Sequence, residues 1–505
     1  MIATTLCVGT ISHHHSGFGG GGFALVRLPN GTYDFIDFRE SAPGLANETM
    51  FVNSTLPSPS LVGGLASGVP GELRGLEELH RRYAKLPWKT LFAPAINYAE
   101  NGFTVNADIS AAGNTTKYPF LLEYPWSIDW APNGTRVPLG GTMYRKRFAK
   151  TLRAIAAEGA DAFYRGPRAE RIVAAVRKGS GVLTTKDLAE YKIRRRTVSK
   201  IEYKGYRLFA GSAPSSGAVA LSALKIFEGW QEGTGLKLKT HRLVEGIKFA
   251  YGQRTQLGDP DFLEGVEKFQ KEMVSAETAA ANRAKIQPQV LVNASEYNPS
   301  GLENPVPAGG TSHIVTLDAD GLAVSLTTTI NTFFGSQIQV AEDGIIMNNE
   351  MDDFSTPGLS NFFGYLPNTN NYIKPHKRPL SSISPTIVET PDGEPFFIIG
   401  AGGGSMIITS VVQNVWNVLE RGMDAHTAIA VPHLHDQLMP NLTSFETGYD
   451  EAIFEDMKLR GHNATWVASP PGLASAQGIL QYRNGSLQAA AETRQHASGG
   501  SVWFP

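Results

Sequence analysis

The sequence holds a single cysteine, Cys7, in 505 residues. No disulfide can form within the chain, and no metal site can be built on cysteine thiolates. Long apolar runs are also missing. Nothing approaches the roughly 20 consecutive apolar residues of a membrane-spanning helix, and no charged-then-apolar signal segment opens the chain. Neither sign of charge dominates: 45 Lys and Arg stand against 47 Asp and Glu. That balance argues against the basic footprint of a nucleic-acid binder and against a polybasic membrane patch. What is present is 42% hydrophobic and 18% charged, enough to bury a sizeable core. By length the chain holds roughly two to four domains, or one large α/β unit.

One motif is abundant. Asn-X-Ser/Thr recurs at Asn30, Asn47, Asn53, Asn114, Asn133, Asn293, Asn441, Asn463 and Asn484. This density points to the secretory pathway, with an extracellular, cell-surface or vacuolar destination. It conflicts with the lack of a signal segment, and a targeting segment absent from this chain reconciles the two.

Along the chain, "FALVRL" and "TYDFIDF" flank Pro29-Asn30-Gly31 and predict a hairpin. Helical spacing runs from about 71 to 102, and again near 145–158, 167–178, 215–230 and 240–256. A charged, low-pattern region spans 257–310 and ends in a loop signal, "EYNPSGLENPVPAGG". After Thr311 strand patterns dominate, at 312–318, 322–330, 343–347, 385–390 and 395–400, with helices at 406–421 and 424–430 and late strands at 476–482 and 486–490. A helix-rich first part and a strand-rich second part fit helix layers over a mostly antiparallel pair of sheets.

Several short stretches could carry chemistry. "GFGGGGF" (17–23) lacks the Lys-Ser/Thr of a phosphate loop and leads into a strand, so a tight backbone passage is expected there. Arg39, in "DFRESAP", can be a surface charge or a fork for a carboxylate. Thr311 follows Gly309-Gly310 at the start of a strand. It can be an ordinary β-branched residue, or a nucleophile that carries its own base once its α-amine is free. "NNEMDDF" gathers Glu350, Asp352 and Asp353, as a solvated turn or as a holder for an ammonium. Ser381 and Ser382 precede a strand in "KRPLSSISPT". "GAGGGSMII" runs from a strand into a helix, and its glycine N–H groups can face an oxyanion. The histidines at 13–15 and His433 and His435 do not have the spacing of a metal site, so no metal or cofactor is expected.

Taken together and in order, "GFGGGGFALV", "DFRESAP", "GVPGELRGLEELHRRYAKLPW", "GGTSHIV", "TTTINTFFGS", "NNEMDDFS", "KRPLSSISPT" and "GAGGGSMIIT" resemble the γ-glutamyltransferase (γ-glutamyl transpeptidase) family across nearly the whole chain. The resemblance implies a four-layer αββα sandwich of the N-terminal-nucleophile hydrolase type. It implies a precursor that cuts itself between Gly310 and Thr311, leaving residues 1–310 as a large and 311–505 as a small subunit of one compact heterodimer. Carried onto this sequence, it makes Thr311 the nucleophile and Thr329 its hydrogen-bonded partner, with Gly403 and Gly404 at the oxyanion hole. Arg39, Ser381 and Ser382 match a clamp for the substrate's α-carboxylate, and Asn331, Glu350 and Asp353 match a clamp for its ammonium. The implied substrates are glutathione and other γ-glutamyl compounds, with water, amino acids or peptides as acceptors. The resemblance implies no cofactor.

Three departures from the family pattern stand out. The family has one further strand-and-helix segment before "ATTLCVG", Met406 stands where polar residues are common, and Glu350 stands where some members have glutamine. Two alternatives remain: an acylase of related fold acting on another amide, and an uncut, inactive homologue.

Overall fold

Gly19 to Gly22 set the first strand against its neighbours. In the computed structural model, which describes residues 1–230, 233–301, 310–358, 367–469 and 472–503, a Cβ on Gly20 would lie 1.9 Å from the Thr329 carbonyl oxygen. One on Gly22 would lie 1.9 Å from that of Thr327. No side chain fits such an approach, which is the tight passage expected from the sequence.

From there β1 (Gly21–Arg27) turns through the expected hairpin into β2 (Tyr33–Asp37). The later strands of the main sheets are β3 (Arg194–Arg196), β4 (Val198–Tyr203), β5 (Tyr206–Gly211), β6 (Thr311–Leu317), β7 (Ala323–Thr329), β8 (Thr386–Glu389), β9 (Pro395–Gly402), β10 (Ser475–Gln481) and β11 (Leu487–Ala491). They form two antiparallel sheets, ordered β3-β2-β1-β7-β6 and β11-β10-β9-β8-β5-β4. The sheets face each other through β9 and β10 against β6 and β7.

Strand alternation explains the layering. Phe23 and Leu25 join the core between the sheets, while Ala24 and Val26 join the core beneath the helices. Both faces are buried, so β1 reads as a continuous apolar run. Helices α1 (Ile2–Ile11), α2 (Glu72–Tyr83), α3 (Trp88–Asn101), α4 (Lys146–Glu158) and α5 (Gly166–Lys178) cover the first sheet. Helices α6 (Gly217–Glu228), α7 (Leu236–Arg254) and α8 (Met406–Leu419) cover the second. The result is the expected αββα sandwich.

Three expectations need correction. Beyond the expected hairpin, the helix-rich first part also supplies β3, β4 and β5: β3 adds to β2, and "KIEYKGYRLFAG" pairs with itself and then with β8. Along β4 charged residues alternate with buried ones, the period-2 pattern of a strand with one face covered. Second, the low-pattern region contains short helices at Val266–Met273 and Ala276–Arg283. Third, the run at 343–347 shrinks to Ile345–Ile346, paired with Gln339–Val340. Of the proline-rich loop before Gly310, residues 302–309 lie outside the described residues.

One buried acid in this framework titrates near neutrality. Glu72, first residue of α2, accepts a hydrogen bond from the Thr328 hydroxyl, and burial pushes its carboxyl up to about 8. The folded state therefore holds this proton more tightly than the unfolded one, whose carboxyl titrates near 4.5. The resulting stability is full below that lower value and is lost as pH rises through about 8. Glu72→Gln should melt with wild type at about pH 5 and several degrees above it at about pH 9. A melting difference that is the same at both pH values would overturn this assignment.

Candidate active site

A cavity opens where the start of β6, the end of β7 and the turn after β9 converge. It is lined by Thr311, Thr329, Asn331 and Gly404, by Arg39, Glu350 and Asp353, and by Ser381 and Ser382. Every site residue expected from the sequence is therefore at this cavity or, for Gly403, next in chain to a residue that lines it.

Thr311 is positioned by strand register. β6 pairs with β7 so that Thr311 sits opposite Thr329, and their hydroxyl oxygens are 3.1 Å apart. The Thr329 hydroxyl donates to the Gly310 carbonyl at 2.6 Å and accepts from the Asn331 N–H at 2.8 Å. Its one proton is thereby committed, so Thr329 can only accept from Thr311. Gly310 itself has φ +97, and a Cβ there would come 2.1 Å from the Asn331 carbonyl oxygen. A glycine is required at that position.

The nearest histidine on the same strand face is not a base for Thr311. His313 has both ring nitrogens engaged, Nδ1 with the Thr327 hydroxyl at 2.8 Å and Nε2 with the Ser325 hydroxyl at 3.1 Å. Burial lowers its pKa to about 3, so it is neutral. A freed α-amine on Thr311, with an unperturbed pKa of about 7.7–8.0, is the chemically suitable base.

The glycine turn lies against the nucleophile. Gly403 (φ +138) and Gly404 (φ +61) connect β9 to α8, and a Cβ on Gly402 would lie 2.5 Å from the Thr311 carbonyl oxygen. No turn or loop backbone bond engages the N–H groups of Gly403 and Gly404 among the described residues. Behind the turn, the Tyr251 hydroxyl donates to the Ser405 carbonyl at 2.6 Å.

The charged wall is more tightly knit than the sequence suggests. Buried Arg39 is ion-paired with both Glu350 and Asp353. Its own backbone is fixed: its N–H donates to Asp37 at 3.0 Å, and its carbonyl accepts from the Tyr191 hydroxyl at 2.7 Å. Glu350 opens a short 3-10 turn, with its N–H donating to the Asn348 side chain at 3.0 Å. Burial, only partly offset by Arg39, holds the Glu350 carboxyl well above the usual range and pushes buried Glu40 up to about 7. Desolvation also raises Asp352 to about 6. Carboxylates crowd this wall, and such crowding favours an arriving ammonium.

Sequence reasoning missed Arg254 and Glu40 as members or neighbours of this wall; Asp352 stands with Glu350 and Asp353 in the expected acidic turn but has no place in the clamp that the family resemblance implies. Glu40 adjoins Arg39 in the chain, and that adjacency is its only signal. Arg254 lies at the end of a helix stretch that is buried on every side, so periodicity marks no special face there.

Comparison with known proteins agrees with this geometry. The family model described as Gamma-glutamyltranspeptidase matches residues 1–502. The "Glutathione hydrolase proenzyme" of Arthroderma benhamiae is 49% identical over 97% of this chain and 84% of its own length. The "Glutathione hydrolase" of Aspergillus flavus is 44% identical over 99% of this chain and 85% of its own. Among solved structures, a cephalosporin acylase from Bacillus halodurans superposes with TM-score 0.87 at 26% identity, covering 100% of this chain and 91% of that one. A Helicobacter pylori gamma-glutamyltranspeptidase chain gives TM-score 0.56 at 30% identity, covering 59% of this chain and 87% of that one.

Proposed function

The chain belongs to the gamma-glutamyltranspeptidase family, and from that premise we propose how its cavity carries out glutathione hydrolysis and γ-glutamyl transfer. The single observation that carries the proposal is the contact of Thr311 with Thr329 beside the Gly310 carbonyl.

Self-cleavage comes first. The Thr311 hydroxyl attacks the Gly310 carbonyl carbon, whose oxygen is already polarised by the Thr329 hydroxyl. The C–N bond breaks, the acyl group moves to the Thr311 oxygen, and the nitrogen takes up a proton. Water then hydrolyses that ester and leaves Thr311 with a free amine.

The same oxygen next attacks the γ-amide carbon of glutathione while the amine takes its proton. The Gly403 and Gly404 N–H groups face the oxyanion; in other acyl-transfer enzymes, losing one such donor costs about 3 kcal/mol of barrier stabilisation. Collapse expels cysteinylglycine, whose nitrogen receives the proton from the amine, and leaves a γ-glutamyl ester on Thr311. Water releases glutamate, or an amino acid or peptide amine accepts the γ-glutamyl group.

The charged wall selects the donor. A γ-glutamyl group carries an ammonium and a carboxylate on one carbon. Entering as a zwitterion, it exchanges the internal Arg39–Glu350/Asp353 pairing for two external ones at no net change of charge, which limits the cost of burying ions. An acyl group without that zwitterion has no use for both signs, so the clamp favours γ-glutamyl donors over a cephalosporin side chain despite the shared fold.

The nine sequon asparagines are all exposed, whereas Asn331, Asn348, Asn349, Asn368, Asn371, Asn414 and Asn417, which lie outside sequons, are buried. This supports N-glycosylation and a secretory destination. Purified protein should release glutamate from glutathione and run as two fragments on a denaturing gel, the smaller starting at Thr311. Enzymatic removal of N-glycans should sharpen and speed both bands. A single band together with steady glutathione hydrolysis would refute the free-amine mechanism, and bands indifferent to glycan removal would refute the secretory proposal.

A further inference from the structure

We propose that Arg254 is a positioning residue that makes the Ser381–Ser382 pair an obligate donor to the substrate's α-carboxylate. The inference rests on the γ-glutamyl reading of the cavity and names a residue on which its specificity depends.

Arg254 is the last residue of α7, is 7% exposed and lines the cavity. Its Nε donates to the Ser216 hydroxyl at 3.0 Å, and its Nη2 donates to the Ser382 hydroxyl at 3.3 Å. Ser216 passes the contact on: its hydroxyl donates to the Ser381 carbonyl at 2.5 Å, and its N–H donates to the Ile383 carbonyl at 2.9 Å. The Ser381 N–H is tied in turn to the Pro214 carbonyl at 2.8 Å. One guanidinium thus braces the whole serine turn from behind.

The direction of these bonds matters more than their number. A serine hydroxyl can donate or accept, and a carboxylate can only accept. Arg254 has no lone pair to offer, so Ser382 must accept from it and turn its own hydrogen elsewhere. Ser381 is fixed in the same sense, because its hydroxyl accepts from the Ile383 N–H at 3.2 Å. Both hydroxyls accept from the protein side and are left to donate into the cavity, where Arg39 also stands. A hydroxyl that accepts from a cation is also a stronger donor. Burial pulls the Arg254 pKa down to about 10, which leaves it charged at neutral pH.

The test compares two anilide donors on mature two-fragment enzyme: L-γ-glutamyl-p-nitroanilide, and 4-aminobutanoyl-p-nitroanilide, which keeps the amine and lacks the carboxylate. Arg254→Met should raise KM for the γ-glutamyl donor by about ten- to a hundredfold, the size of one lost charge-assisted hydrogen bond. Its kcat should stay near wild type, and kcat/KM for the decarboxylated donor should not move. Arg254→Lys should recover part of the KM. Ser216→Ala, a smaller change in the same chain of contacts, should raise KM for the γ-glutamyl donor alone and serves if the Met variant does not fold. A variant that keeps the wild-type preference between donors overturns the proposal, as does one that loses kcat equally on both. A wild-type enzyme with no preference for the γ-glutamyl donor instead overturns the donor reading, and this inference with it.

Discussion

Thr311→Ala should accumulate as one uncut chain and lose glutathione hydrolysis by about 10⁴-fold or more, as expected when the nucleophile of a covalent mechanism is removed. Both losses have one cause. On the proposed mechanism, the hydroxyl that opens the Gly310–Thr311 bond is the one that later carries the γ-glutamyl group. Thr311→Ser should retain both reactions at reduced rate, because it keeps the oxygen opposite Thr329 and gives up only the methyl that fixes its rotamer. N-terminal sequencing and a glutamate-release assay read the two outcomes. Two fragments cut before residue 311 in the alanine variant would show that another group performs the cleavage.

Arg39→Met should lower kcat/KM for γ-glutamyl donors by about 10³-fold, mostly through KM, since it removes the carboxylate's cation and leaves Glu350 and Asp353 buried without their partner. Breaking a buried pair this way typically costs about 3–5 kcal/mol, so the variant should also melt earlier than wild type. Arg39→Lys keeps the charge but cannot fork between two carboxylates, and should fall between the two. Steady-state kinetics with a γ-glutamyl anilide checks this. An unchanged KM in the methionine variant would remove Arg39 from the carboxylate clamp.

Much of the site was legible because the residues that carry the family resemblance stand in short stretches with unusual local demands. Gly310 needs a positive φ, Gly19 to Gly22 leave no space for side chains, and Ser381-Ser382 and Glu350-Asp353 are each compact in the chain. Those demands are local and leave a local trace. What escaped notice depends on distance in the chain. The ion pairs of Arg39 with Glu350 and Asp353 join residues more than 300 positions apart. Arg254 meets Ser382 across 128 positions, from a helix that gives no hint of which residue points at a site. Likewise β4 and β5 were hidden because a strand is defined by its partner, and β5's second partner, β8, comes from the far part of the chain.

That pairing also bears on what cleavage does to the molecule as a thermodynamic object. β1 lies beside β7, and β5 lies beside β8, so each sheet joins strands from both sides of Gly310–Thr311. Once that bond is cut, unfolding and dissociation become a single event governed by mass action. Refolding changes from a first-order process to a bimolecular encounter, and each tenfold dilution weakens the folded state by about 1.4 kcal/mol relative to its separated pieces. On the proposed cleavage, the chain folds as a single molecule only while Gly310 and Thr311 are still joined.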